Sequence, residues 1–237
     1  MSLPADDTGI AVLVITDGRR PYLDACVRSL AEKVTGDVTE WWMWDDTGDH
    51  LYRRSLQRAY PRWRHINGGP RQGFGGAIRG AWHTLLTQST AKWIFHVEGD
   101  FIFPGYLFLN DLATVLEQRP HLMQMALCRQ PWSRQEHEAG GVVECWPDSY
   151  RDMQDDNGYH WLEHRLFWTT NPSLYRRELT VWGWPQGARS EAEFHRRLLQ
   201  HGALGVPGDR VHYGYWGKRG QHVLTEHIGQ ERAGCGY

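Results

Sequence analysis

Glu98 and Asp100 flank Gly99 where the apolar run 91–97 (AKWIFHV) stops. Two carboxylates at i and i+2 at a strand end can converge on one hard cation, and oxygen ligands suit Mg2+ or Mn2+. Such an ion keeps room for water and phosphate oxygens, so a diphosphate is the natural second partner. An acidic turn joining strand to helix accounts for the same triplet. Three other segments end in comparable chemistry. Residues 10–15 (IAVLVI) run into Thr16-Asp17-Gly18-Arg19, residues 39–44 (TEWWMW) into Asp45-Asp46-Thr47-Gly48-Asp49, and residues 62–67 toward Gln72-Gly73-Phe74-Gly75-Gly76. Ligands of parallel α/β sheets bind beyond the carboxyl ends of the strands, so four such ends on one rim predict a site. The glycine segment 73–80 lacks the GK[ST] ending of a P-loop, and Ile78 stands at the third glycine position of GxGxxG. What remains is either a loop that permits close backbone approach before a helix or a plain turn.

The elements that must position these residues alternate. The continuous apolar run 10–15 predicts a strand buried on both faces, and 39–44, 62–67 and 91–97 read as further strands, the third short. Helices are expected from Pro21, with Leu23, Val27 and Leu30 on one face, over 51–60, and from the glycine segment to about Leu86. Another is expected from Pro104, with Leu109, Leu112 and Leu116 in register. This βαβ order argues for a mostly parallel, Rossmann-like sheet flanked by helices. Beyond Pro120 the rhythm changes. Residues 122–128 predict one more strand, 140–158 loops, and 190–201 a helix with Phe194 and Leu198 spaced i,i+4; 206–237 has no clear period. Residues 1–120 read as a nucleotide-sugar-binding half. Residues 121–237 read as an acceptor-binding and catalytic-base half of the same domain.

Bulk numbers exclude several classes. Lys+Arg of 26 against Asp+Glu of 28 gives a net charge of −2, which disfavours a nucleic-acid binder with a large basic patch. Apolar runs are too short for a transmembrane segment or a signal peptide. Cys26, Cys128, Cys145 and Cys235 form no CxxC, which favours a reduced, cytoplasmic chain. The 13 histidines are scattered without an HExxH pair. The unusual number is 13 Trp in 237 residues. Trp41, Trp42, Trp44 and Trp93 lie in strand signals and are expected in the core. Trp132, Trp146, Tyr150, Tyr159, Trp161, Trp168, Trp182 and Trp184 fall in the second half, where flat rings could grip a sugar or simply fill the core.

Taken together, these residues resemble an inverting, family 2-like glycosyltransferase of the GT-A fold, of the short, stand-alone, soluble type known from actinobacteria and their phages. The likeness covers roughly residues 8–200. WMWDDTGD resembles the second-strand signature, QGFGGAIRGA the glycine-rich motif, FHVEGDFIFP the DxD segment and RSEAEFHRRLLQHG the late acidic motif. The resemblance implies a hexosyltransferase (EC 2.4) that moves a sugar, with inversion, from a UDP-, GDP- or dTDP-linked donor to a hydroxyl. The acceptor would be a protein, glycan or lipid-linked sugar, and Mn2+ or Mg2+ would assist. It implies that Thr16, Asp17 and Arg19 line base and ribose, that Asp45 and Asp46 bind base or ribose, and that Gly75 and Gly76 border the nucleotide. Glu98 and Gly99 would face the donor, Asp100 would hold the metal, and Glu191 would be the base. A late histidine would complete the metal site, with His227 first, then His212 or His222.

Four departures stand out. Glu98 replaces the first acid of DxD, Ala77-Ile78 stands where many relatives carry Arg-Asn, Thr47-Gly48 replaces Gly-Ser, and Ser190-Glu191-Ala192 replaces Glu-Asp. Glu193 therefore competes with Glu191 for the role of base. A sugar nucleotidyltransferase and a non-catalytic carbohydrate-binding protein are the rival readings.

Overall fold

The computed structural model describes residues 9–67, 69–187, 189–221 and 223–229. In chain order the elements are β1 (Ile10–Thr16), α1 (Arg20–Lys33), β2 (Val34–Thr35), β3 (Val38–Asp45), α2 (His50–Ala59), β4 (Arg64–Asn67), α3 (Gly73–Gln88) and β5 (Trp93–Glu98). Then follow β6 (Phe101–Ile102), β7 (Leu107–Phe108), α4 (Leu109–Gln118), β8 (Leu122–Leu127), α5 (Arg134–Ala139), α6 (Val142–Cys145), β9 (Arg151–Gln154) and β10 (His160–His164). The last are β11 (Ser173–Arg176), α7 (Ser190–His201), β12 (His212–Trp216) and β13 (Glu226–His227).

One nine-stranded sheet runs through both halves of the chain in the order β4-β3-β1-β5-β11-β8-β12-β10-β9. The first four of these strands pair in parallel, and the ladders beyond β5 mix both senses. β8 and β12 point the same way as β1 and β5, because β11 runs antiparallel between β5 and β8. The carboxyl ends of β1, β3, β5 and β8 therefore share one rim, as ligand sites of α/β sheets require.

Alternation along β1 divides the core. Val12 and Val14 pack with Leu23 and Leu30 of α1 and Leu112 and Leu116 of α4 on one face. Ala11 and Leu13 pack with Ala81 and Trp82 of α3 and Phe194 and Leu198 of α7 on the other. Each fully buried Leu of this kind contributes about 1.5–3 kcal/mol. Trp82 is the hub of the second face. Its ring lies 5.1 Å from both Trp184 and Phe194 and 6.2 Å from Trp168, and its Nε1 donates to Tyr175 Oη at 2.9 Å. This cluster seats α7 on the sheet.

Several expectations are corrected. The helix expected from Pro104 begins at Leu109, because Leu107–Phe108 is drawn into a parallel pair with Val34–Thr35. The loop region 140–158 contains α6 and β9, which edges the sheet by pairing with β10. The tail without period holds β12, whose Gly214 admits the Met125 side chain beside it. Of the rings left with two readings, Trp161, Trp168, Trp184 and Tyr150 take the core one. Among the described residues no helix is long and apolar enough to cross a membrane, and Cys26, Cys128 and Cys145 are free thiols.

Two core histidines set an acid limit. Burial pushes His96 down to about 4 and His164 to about 3. Both stay neutral in the fold, whereas in the unfolded chain they take up protons below about pH 6.5. The unfolded state thus binds more protons below that pH. Their contribution is fully present above it and is lost as pH falls through the folded values. The loss should reach up to about 1.4 kcal/mol per pH unit for each histidine. Urea midpoints measured between pH 4 and 6.5 should show this slope, and His96→Gln should flatten it by one proton; an unchanged slope would mean that His96 does not titrate on unfolding.

Candidate active site at the carboxyl rim of the sheet

The end of β1 turns sharply at Gly18, whose φ of 102° is a conformation that glycine adopts without strain. The turn is held by the Gly18 N–H donating to Thr16 Oγ1 at 3.3 Å and the Arg19 N–H donating to Asp17 Oδ1 at 3.3 Å. Arg19 Nε also donates to Asp17 Oδ2 at 2.8 Å, and its Nη2 reaches Asp100 Oδ2 at 2.6 Å. The loop after β1 is thereby tied to the loop after β5. Gly99 completes the tie, its N–H donating to Ile15 O at 2.8 Å.

Asp100 is buried, and three separate parts of the chain converge on it. Arg19 comes from the start of α1 and His227 from β13, whose Nε2 lies 2.9 Å from Asp100 Oδ2. Gly229 packs so closely that a Cβ there would collide with Asp100 Oδ2. β13 pairs with β6, and Gln130 clamps the His227 backbone from both sides, donating to its O at 2.8 Å and accepting from its N at 2.9 Å. Phe101 and Trp132 flank the His227 ring at centroid distances of 4.6 and 4.4 Å. Burial alone would raise the Asp100 carboxyl, but the bonds from His227 and Arg19 outweigh it and hold it below the usual carboxylate range. Asp100 Oδ1 is buried without a hydrogen-bond partner. An orphaned carboxylate oxygen beside an imidazole nitrogen is a donor pair that Mn2+ accepts, so these residues fit a divalent cation.

Glu98 and Glu191 complete a group of acids. Burial, followed by the negative charges of Asp100, Glu191 and Asp17, pushes Glu98 up, with the Thr170 hydroxyl opposing. Glu191 lies in the first turn of α7 and accepts from the Thr170 N–H at 2.6 Å and the Thr170 hydroxyl at 2.9 Å. Burial still pushes its carboxyl up. Glu193 faces elsewhere, in ion pairs with Arg196 and Arg197 that hold it low. The two glutamates lie about 200° apart around the helix axis, so only one can face the rim.

Not every expected residue presents itself to a ligand. Asp45 spends Oδ1 on the Thr47 N–H at 3.0 Å and hydroxyl at 2.7 Å, and its Oδ2 faces Arg53 Nε at 3.2 Å. Asp46 accepts the N–H groups of Gln72 at 2.9 Å and Gly73 at 2.8 Å. It thereby caps the first turn of α3, where a negative charge is favoured. Both carboxylates brace their loops. Gly75 faces the carbonyls of Pro185 and Gly187, and Gly76 is buried against the Gln72 side chain. His212 sits at the amino end of β12, on the opposite rim, beside Glu163. His222 and Cys235 lie outside the described residues. Arg129, Gln130 and Thr170 give no local signal, and Trp132 only that of a flat ring; they become neighbours of the site through contacts between distant parts of the chain.

No protein-family model matches this sequence, and no curated protein matches it. Solved structures do. The chain is similar to GalNAc-T7 with UDP, GalNAc and Mn2+, at TM-score 0.63 and 9% identity, covering 95% of this chain and 44% of that one. It is similar to the mannosyltransferase PcManGT from Pyrobaculum calidifontis in complex with GDP-Man and Mn2+, at TM-score 0.53 and 15% identity over 86% of this chain and 55% of that one. A third likeness is to residues 1–349 of S. aureus TarS, at TM-score 0.55 and 12% identity over 92% and 60%. The chain thus spans about half the length of these proteins. The fold they share with it is the GT-A type, a mixed α/β sheet flanked by helices.

Gly229→Ala offers a test of the Asp100 pocket. The added methyl should displace Asp100 or His227 and weaken Mn2+ binding about tenfold or more, read by calorimetry on protein whose circular dichroism is unchanged. Equal Mn2+ affinity would mean that the ion is held elsewhere.

Proposed function

We propose that this chain is a glycosyltransferase that moves a sugar from a nucleotide diphosphate donor to an acceptor hydroxyl with inversion. The observation that carries the reading is the convergence of Asp100, His227, Glu98 and Glu191 at the carboxyl rim of a GT-A sheet. Solved structures of this fold that hold UDP or GDP-Man together with Mn2+ support the same reading. Thr16, Asp17 and Arg19 line the donor pocket, with Glu98 and Gly99 at its floor. Asp45 and Asp46 shape its walls through the loops they brace, and Gly75 and Gly76 through the first turn of α3. Residues 1–120 hold the donor, and residues 121–237 supply the base and the acceptor surface. Free thiols accord with a cytoplasmic setting.

Glu191 is the general base. Its raised carboxyl takes the hydroxyl proton as the acceptor oxygen attacks the anomeric carbon, and a single displacement inverts that carbon. Thr170 fixes one carboxylate oxygen, Oε1, and so orients the other toward the acceptor. A divalent cation, Mn2+ or Mg2+, would be held by Asp100 and His227, and when bound it would stabilise the charge that develops on the leaving diphosphate. Arg19 adds fixed positive charge on the same side. Trp132, Tyr159 and Trp182, half-buried, and Trp146, 44% exposed, are the rings left to meet an acceptor, be it protein, glycan or lipid-linked sugar, and Trp132 lies against His227.

A panel of UDP-, GDP- and dTDP-linked sugars with Mn2+ should identify the donor by thermal shift and by release of nucleoside diphosphate. Glu191→Gln should lower transfer by at least about 100-fold while donor and metal binding persist. Transfer at the wild-type rate would remove Glu191 from the mechanism. Asp100→Ala should abolish the Mn2+-dependent part of donor affinity measured by calorimetry; an unchanged affinity would contradict its role. NMR of the product's anomeric proton should report inversion, and retention would overturn the single-displacement reading.

A further inference from the structure

A second constellation lies on the rim opposite the acids. His121 directly precedes β8, His212 opens β12, and Glu163 lies near the end of β10. Because β12 runs parallel to β8 and antiparallel to β10, these three chain positions meet at one edge of the sheet. Their ligand atoms all fall within 4.8 Å of one another. His121 Nε2 is 3.4 Å and His212 Nδ1 2.5 Å from Glu163 Oε1. Ligand atoms around a tetrahedral Zn2+ at bond lengths of 2.0–2.2 Å sit about 3.3 Å apart, so small adjustments would place all three around one ion.

The surroundings hold this geometry in place. The His212 N–H donates to the His121 carbonyl at 2.9 Å, which fixes the two backbones together. The two rings meet at 88° with centroids 5.4 Å apart. Glu163 is buried, and Trp161 Nε1 lies 3.4 Å from its Oε2, an outer partner that leaves Oε1 turned toward the histidines. Both histidines are partly exposed, so an ion has a path in, and a fourth position is left for water.

We propose that His121, Glu163 and His212 bind one divalent cation of the zinc class, as a tie between the start of β8, the start of β12 and the end of β10. Two imidazole nitrogens and one carboxylate oxygen suit Zn2+ better than the harder ions that fit Asp100. The site contains none of the residues at the carboxyl rim, so it is separate from the donor chemistry. Its role is to hold the second half of the sheet, from which the chain continues to His227.

The test uses the full chain without a polyhistidine tag, stripped with EDTA. Calorimetry with Zn2+ should show a site that Asp100→Asn retains, and Zn2+ should raise the melting temperature. Co2+ should give the intense visible absorption of four-coordinate geometry. His121→Gln, at a partly exposed position that the fold tolerates, and Glu163→Gln should each weaken Zn2+ binding by more than about 100-fold, beyond what outer partners alone produce. Circular dichroism of both variants should match the parent. Absence of Zn2+ binding, or binding unchanged in His121→Gln, would overturn the proposal and leave the trio as a hydrogen-bonded histidine–glutamate pair with a neighbour.

Discussion

Like charges gathered with little water between them are costly, and this structure gathers three carboxylates, the buried Asp100 and the half-buried Glu98 and Glu191, at one rim. The arrangement persists because the protein divides the burden. Asp100 stays ionised under Arg19 and His227, and Glu98 and Glu191 are pushed toward the neutral form. Carboxylates with values driven apart by their surroundings can perform different tasks on one substrate. The rest of the architecture serves this division. The turn from β1 into α1 delivers Arg19, β5 and the turn after it deliver Glu98 and Asp100, α7 delivers Glu191, and β13 returns to supply His227.

Precision at the rim depends on packing well below it. Glu191 stands three residues before Phe194, and Phe194 is wedged against Trp82 and Trp168. Aromatic contacts of this kind contribute roughly 0.5–1.5 kcal/mol each beyond area burial. They fix the rotation of α7, and that rotation selects Glu191 over Glu193 to face the site. Much of the high Trp content is therefore scaffold. It sets the orientation of an acid that it does not touch.

The first half of the fold was legible because parallel strands buried on both faces leave apolar runs, unbroken in residues 10–15 and interrupted only by Lys92 and His96 in 91–97. The acids at the strand ends, Glu98 and Asp100, were legible as polar residues that follow those runs, whereas Glu191 and His227 were expected only from the family resemblance. Non-local facts stayed hidden. Nothing near Asp46 in the sequence says that Gln72 and Gly73 will consume its carboxylate. His121, Glu163 and His212 are 42 and 49 positions apart, and only the pairing of β8, β10 and β12 makes them neighbours. β12 itself reads HYGYW, with glycine at its centre, and glycine weakens a strand signal.

The contact of His227 with Asp100 closes a loop of 127 positions. All nine strands of the main sheet lie at or before Trp216, so the residue that finishes the acidic rim comes from a segment outside that sheet. The sheet and the residue that completes the acidic rim are separate along the chain, divided by positions 217–226.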